Sequence, residues 1–181
     1  MGDNEELIRK CQQKSRKAFE ELYKKFSPFV YGICLRYAKN RDEAQDILQD
    51  CFIKLMDKIG DFRFEGSFEG WLQRMAVRES LNYLRLTRSS FVDIDENDSD
   101  EEDVSSDIIS NMTAQELIAE IGKMPDGYRT IFNMYVIEGY QHKEIAEILN
   151  ITESTSRSQL KKAREYLIEM IKTILKGNER I

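Results

Sequence analysis

The chain is poor in the residues that staple, break or metallate a fold. Two prolines, Pro28 and Pro125, stand in 181 residues, so long helices meet little interruption. Cys11, Cys34 and Cys51 are odd in number and have no CxxC spacing, which argues against a disulfide framework and a zinc site. With His142 as the one histidine, neither a histidine-based triad nor a multi-histidine metal cluster can be assembled. No apolar run approaches the roughly 18 residues a membrane span needs. The opening MGDNEELIRK lacks the basic and apolar blocks of a signal peptide, so a cytoplasmic protein is expected. Period-two alternation and strand-turn-strand signals are also missing, and the expected fold class is all-α.

What is present is charge, unevenly spread. Residues 1–90 hold 17 basic and 14 acidic side chains, and residues 113–181 hold ten of each. Residues 91–112, FVDIDENDSDEEDVSSDIISNM, hold nine acidic and no basic ones, which accounts for the overall −6. That segment is poor in apolar residues and lacks a helical period. It cannot bury enough surface to offset ordering its backbone, so it reads as a flexible acidic linker. Its carboxylates lack the glycine-turned spacing of a calcium loop. Two small helical domains, 1–90 and 113–181, are thus expected on either side.

In the first domain Ala18, Phe19, Leu22, Tyr23 and Phe26 recur at helical spacing, and Ser27-Pro28 is expected to break the run. Val30, Ile33, Cys34 and Tyr37 make a second stripe. A helix from about Asp42 to Ile59 turns Ala44, Ile47, Leu48, Cys51, Phe52 and Leu55 inward, with Asp46, Gln49, Asp50 and Lys54 on its other side. Next comes a loop carrying Phe62, Arg63, Phe64, Gly66, Phe68 and Gly70, then a helix with Trp71, Leu72, Met75, Ala76, Leu81 and Leu84. Aromatics in a glycine-containing loop, followed by Arg74, Arg78, Asn82 and Arg85, offer stacking platforms for bases and cations for phosphates. The same aromatics also suit an ordinary core.

The second domain opens near Thr113, a cap with Glu116 three residues on. Leu117, Ile118 and Ile121 form its first stripe. A helix from about Asp126 to Glu138 is expected to bury Ile131, Phe132, Tyr135 and Val136. Gln141–Arg164 then reads as two helices joined by a tight turn. Ile145, Ala146, Ile148 and Leu149 line the first, Asn150 tolerates the left-handed conformation at its end, and Thr152 caps the second. Leu160, Ala163, Leu167, Ile171 and Ile174 share the inner face of that second helix, while Ser154, Arg157, Ser158, Lys161 and Lys162 project outward. A basic, hydroxyl-bearing outer face on the second helix describes a helix-turn-helix, although a helical hairpin with a solvated face fits the same pattern.

Three stretches together resemble the sigma-70 family of bacterial RNA polymerase sigma factors. They are FEELYKKFSPFVYGICLRYAKNRDEAQDILQDCFIKLM (Phe19 to Met56), FEGWLQRMAVRESLNYLR (Phe68 to Arg85) and MPDGYRTIFNMYVIEGYQHKEIAEILNITESTSRSQLKKAREYL (Met124 to Leu167). The chain looks like the compact extracytoplasmic-function (ECF) group, which keeps a region-two helical bundle and a region-four helix-turn-helix domain. The resemblance implies a non-enzymatic initiation subunit without cofactor or metal. Its implied partners are core RNA polymerase, promoter DNA and an anti-sigma factor. Asp46, Gln49, Asp50 and Phe52 match the family's polymerase-docking helix. Phe62, Phe64, Phe68, Arg74, Arg78 and Asn82 match its minus-ten recognition and melting element, where a base leaves the stack. Arg157, Ser158, Gln159, Lys161 and Lys162 match its minus-thirty-five recognition helix.

The sequence departs from the family at three places. Ser156 takes an inward position that is commonly Val, Asn150 replaces a turn glycine, and Gln159 stands where many members have Arg. Two other classes compete with this one. A DNA-binding regulator without polymerase affinity would not form a stable holoenzyme. A metal-using helical enzyme would need an ordered His, Asp or Glu constellation that the sequence lacks.

Overall fold

The computed structural model describes residues 3–87 and 114–178, and the side chains of 4–86 and 119–173. The segment 91–112 and Thr113 lie outside the described residues, as do the side chains of Leu117, Ile118 and Ile174. The chain divides into two compact units, Met1–Ser89 and Ser90–Ile181. Every described element is helical.

In the first unit α1 (Asp3–Gln12), α2 (Arg16–Tyr37), α3 (Arg41–Lys58) and α4 (Phe68–Thr87) surround a core of Leu22, Val30, Ile33, Ile47, Leu55 and Leu72. A single turn of 3-10 helix, Ile59–Asp61, follows α3. Side chains mark the helix starts. Ser15 Oγ accepts from the Ala18 N–H, and Asn40 Oδ1 accepts from the Glu43 N–H at 2.8 Å.

Helix α2 does not break at Ser27-Pro28 as expected; it runs through Pro28 without interruption. Proline removes one N–H and deprives the carbonyl four residues back. Here both Pro28 and Lys24 are exposed, so water can serve that carbonyl. Leu22, Phe26, Val30 and Ile33 bury the other face continuously across the site. Packing on both sides of Pro28 outweighs one missing bond.

The second unit contains α5 (Ala114–Lys123), α6 (Asp126–Phe132), a π-helical turn (Asn133–Ile137), α7 (His142–Leu149) and α8 (Glu153–Asn178). Helices α5, α6 and α7 all pack on α8. The π-turn corrects the expected register of Asp126–Glu138. One residue is added to a turn, so later side chains rotate out of the α-helical pattern. Asn133 and Met134 turn inward, Tyr135 is half-buried, and Val136, expected in the core, is 48% exposed. Gly139 at φ +78° then reverses the chain into α7.

Arg129 is buried, and its guanidinium donates to the Gly122 carbonyl at 2.9 Å and to Asp126 Oδ1 at 2.7 Å. It thereby satisfies the C-terminal end of α5 and orients α6 against it.

Candidate functional surfaces

The exposed side of α3 carries Asp46, Gln49 and Asp50 at helical spacing, and the same stripe continues with Ile53 and Met56. Those two are 61% and 59% exposed, an unusual way to spend large apolar side chains on a helix with a filled core. Phe52 is not on this surface. It lies with Leu48 and Leu55 on the inner face, 7% exposed, with its ring 4.6 Å edge-on from Tyr23. It supports the exposed Tyr23 rather than presenting itself. Ile53 and Met56 were legible in the sequence as apolar residues lying off the buried stripe, and the reading from polar residues passed over them.

Beyond the 3-10 turn the aromatics form one cluster. Phe62 lies 5.0 Å from Phe64, 5.3 Å from Phe68 and 5.5 Å from Trp71, and Phe68 lies 5.2 Å from Phe26 of α2. Phe62 and Phe68 are 7% and 4% exposed, so they form the floor of the cluster. The reason is local. Ser67 Oγ accepts from the Gly70 N–H at 3.2 Å and caps α4, so Phe68 and Gly70 belong to the first helical turn instead of the loop. That turn points Phe68 at the core.

Phe64 and Trp71 keep partly open ring surfaces. Phe64 adopts φ +60°, a left-handed conformation that costs a side-chain-bearing residue about 1–2 kcal/mol. From Trp71 a single face of α4 continues through exposed Arg74 and Arg78 to half-buried Asn82 and exposed Arg85. Trp71, which is half-buried, begins this face.

In the second unit α7 ends at Asn150, which takes φ +56°, ψ +49°, and the Ile151 N–H closes the turn on the Ala146 carbonyl at 3.1 Å. An asparagine thus supplies the geometry expected of a turn glycine. Thr152 Oγ1 accepts from the Thr155 N–H at 2.9 Å and starts α8. The helix-turn-helix is built as its caps imply.

On α8 Arg157 is exposed, with Glu153 3.5 Å away, and Ser158, Lys161 and Lys162 are half-buried along the same side. Gln159 is not with them. It is 4% exposed, on the inner side of α8 with Leu160 and Ala163. Ser156, also inward, is fully buried, and its hydroxyl lies 2.9 Å from His142 Nδ1. The His142 ring stacks on Tyr135 with centroids 4.3 Å apart. Burial, then the nearby Arg157, lowers the His142 pKa and favours the neutral imidazole.

The three thiols are buried, and burial pushes Cys11 up to about 11 and Cys34 and Cys51 up to about 12. They are therefore packing groups without thiolate chemistry at neutral pH.

The family model for Sigma-70 region 2 matches residues 22–89, and that for Sigma-70, region 4 matches residues 114–167. The chain belongs to the sigma-70 family. Among curated relatives, the ECF RNA polymerase sigma-E factor of Haemophilus influenzae is 29% identical, over 93% of this chain and 95% of that protein. The RNA polymerase sigma-H factor of Pseudomonas aeruginosa is 28% identical, over 96% of each. With both family matches, this end-to-end similarity places the sigma factor in the ECF group.

The fold is shared with the sigma factor RpoE of Bartonella quintana, solved with the anti-sigma factor NepR. That likeness has a TM-score of 0.53 and 19% identity, and covers 86% of this chain and 98% of that one. CnrH, solved with the cytosolic domain of CnrY, aligns with a TM-score of 0.51 and 18% identity over 92% and 96%. In the sigma factor described here, α3 and α4 fall within region two, and the helix-turn-helix falls within region four.

Proposed function

We propose that this ECF sigma factor binds core RNA polymerase, directs it to promoters carrying minus-ten and minus-thirty-five elements, and opens the duplex there. The observation that carries the reading is the pairing of region two and region four, in that order, on one chain. A regulator that only reads DNA has no use for the first. The protein performs no chemistry of its own; its work is binding, positioning and unstacking. It acts in the cytoplasm, where polymerase and promoters are.

The polymerase contact falls to the α3 stripe of Asp46, Gln49, Asp50, Ile53 and Met56, since its charge and exposed apolar area suit a protein surface. Phe64 and Trp71, with Arg74, Arg78 and Asn82, receive the unstacked base and the non-template phosphates. Arg157, Ser158, Lys161 and Lys162 read or grip the upstream element, and Gln159 supports them from inside the domain. An anti-sigma factor is the expected brake on such a subunit.

Transcription in vitro with core polymerase over a promoter library tests the reading directly. Promoter-dependent initiation is expected. A chain that binds promoter DNA yet forms no holoenzyme would move it to the class of simple regulators. The acidic segment can mimic RNA in the polymerase, and neutralising Asp100 to Asp103 should then alter initiation or promoter escape.

A further inference from the structure

Helix α1 precedes the region-two match, yet it touches the opening loop at three points. Gln12 Nε2 donates to the Ile59 carbonyl at 3.0 Å and to the Phe62 carbonyl at 2.9 Å. One amide thus ties together the two ends of the 3-10 turn that feeds the loop. The Arg9 guanidinium lies 4.3 Å from the centre of the Phe64 ring. Glu5 Oε1 accepts from Arg9 Nε at 3.2 Å and from Nη2 at 2.7 Å, which fixes the plane of that guanidinium. At the far end of the loop Asn4 Nδ2 donates to Glu69 Oε1 at 3.3 Å. Glu69 Oε2 in turn accepts from Ser67 Oγ, the α4 cap, at 3.0 Å.

The loop needs such support. Phe64 sits at φ +60° without the freedom of glycine, and a side chain in that region persists only where its surroundings hold it. Phe62 holds one contact with its ring and Arg9 another. A platform for an unstacked base must also be in place before the base arrives, because a loop that orders on capture spends part of the binding free energy on itself.

We propose that α1 is a positioning clamp for this loop, with Gln12 and Arg9 holding Phe64 in the shape that receives the base. Promoter opening thereby depends on residues outside the region-two match. The inference rests on the reading of the loop as the opener.

The test uses full-length chain in holoenzyme with core polymerase, on a promoter carrying 2-aminopurine in the minus-ten non-template strand. Fluorescence of that base reports unstacking. Gln12→Leu keeps the side-chain length and removes both donated bonds; it should lower the open-complex equilibrium constant by about tenfold. Arg9→Ala, a partly exposed site, should lower it by roughly two- to fivefold, and Arg9→Lys should recover part of the loss by restoring a cation over the ring. Affinity for core polymerase should stay within about twofold in all three.

Wild-type opening by both Gln12→Leu and Arg9→Ala overturns the clamp. So does a loss of opening matched by an equal loss of polymerase affinity, since α1 would then only stabilise the unit. Phe64→Ala separates the two readings. If it impairs opening while the α1 variants do not, only the clamp fails; if it opens normally, the assignment of the loop fails with it.

Discussion

The buried pair joining the two helices of the reading motif gives the sharpest test of the region-four unit. Ser156→Ala removes a hydroxyl that meets His142 Nδ1 at 2.9 Å, where Ser156 is fully buried and His142 is 8% exposed. The lost oxygen leaves almost no cavity, so the cost is that of a buried imidazole nitrogen without a partner, about 1–2 kcal/mol. In a domain of this size each kcal/mol moves the melting temperature by roughly 4–8 °C. His142→Phe keeps the ring that stacks on Tyr135. Combined with Ser156→Val it replaces both polar partners with apolar groups, and a pair removed together costs less than its parts. The double-mutant cycle should return a coupling of about 1 kcal/mol.

The sequence supplies the assay. Trp71 is the one tryptophan and belongs to the first unit, so urea unfolding followed by its fluorescence reports that unit, while far-UV circular dichroism reports both. Ser156→Ala should shift the dichroism transition and leave the Trp71 transition in place. Additive effects in the cycle, or a displaced Trp71 transition, would refute the reasoning. The burial of His142, with Arg157 nearby, also sets a pH dependence. Because the folded His142 pKa lies below its unfolded value, the unfolded chain binds more protons in the window between them. The contribution is therefore complete above about pH 6.5, the unperturbed histidine value, and is lost as pH falls toward the folded value. His142→Phe should flatten that slope.

Arg157→Ala should weaken upstream promoter binding and reduce the salt dependence by about one counterion if it pairs with a phosphate; an unchanged affinity and slope in a filter-binding titration would remove it from the interface. Gln159→Ala should lower stability while leaving sequence preference intact, and a changed preference at a single base pair would put its side chain back in the groove. Ile53→Glu should raise the dissociation constant for core polymerase about tenfold or more, measured by fluorescence polarisation, and an unchanged constant would remove Ile53 from that contact. Asn82→Ala should slow open-complex formation detected by permanganate footprinting without loss of holoenzyme; normal opening would exclude Asn82 from the melting face.

The helices and their caps were legible because local chemistry decides them. Asn150 in the left-handed conformation and Thr152 at the start of α8 follow from the side chains alone. Pro28 was misjudged because a local rule met tertiary packing: the apolar stripe of α2 continues across it. The π-turn at Asn133–Ile137 could not be read from spacing, since periodicity assumes the turn size that the structure changes. Burial divides each family-matched stretch into an exposed part and a supporting part. Phe52, Phe62, Phe68 and Gln159 each belong to a stretch that matches the family's contact elements, and each is buried. A motif places a residue on an element; only the helix start and its core fix which way the side chain points. Ser67 as the α4 cap, visible three residues before Gly70, was the available signal for Phe68.

Ser156 shows why a departure from a family pattern needs its partner to be interpreted. A hydroxyl in place of an apolar side chain reads in isolation as a defect in the motif's core. With His142 across from it the same hydroxyl becomes half of a satisfied buried pair. Such a bond is directional where apolar contact is not, so it fixes the angle between α7 and α8 as well as their proximity. The arrangement matters because residues 113–181 carry ten basic and ten acidic side chains, leaving no net attraction for phosphates. A neutral domain gripping DNA through a few cations gains little from electrostatics alone and must rely on geometry and on tethering. In the function proposed above, polymerase bound to the first unit supplies the tether and raises the effective concentration of the α8 outer face at the promoter. The full chain without core polymerase should accordingly fail to retain promoter DNA at concentrations where holoenzyme saturates it. Retention of the free chain at equal affinity would mean that region four is an autonomous reader.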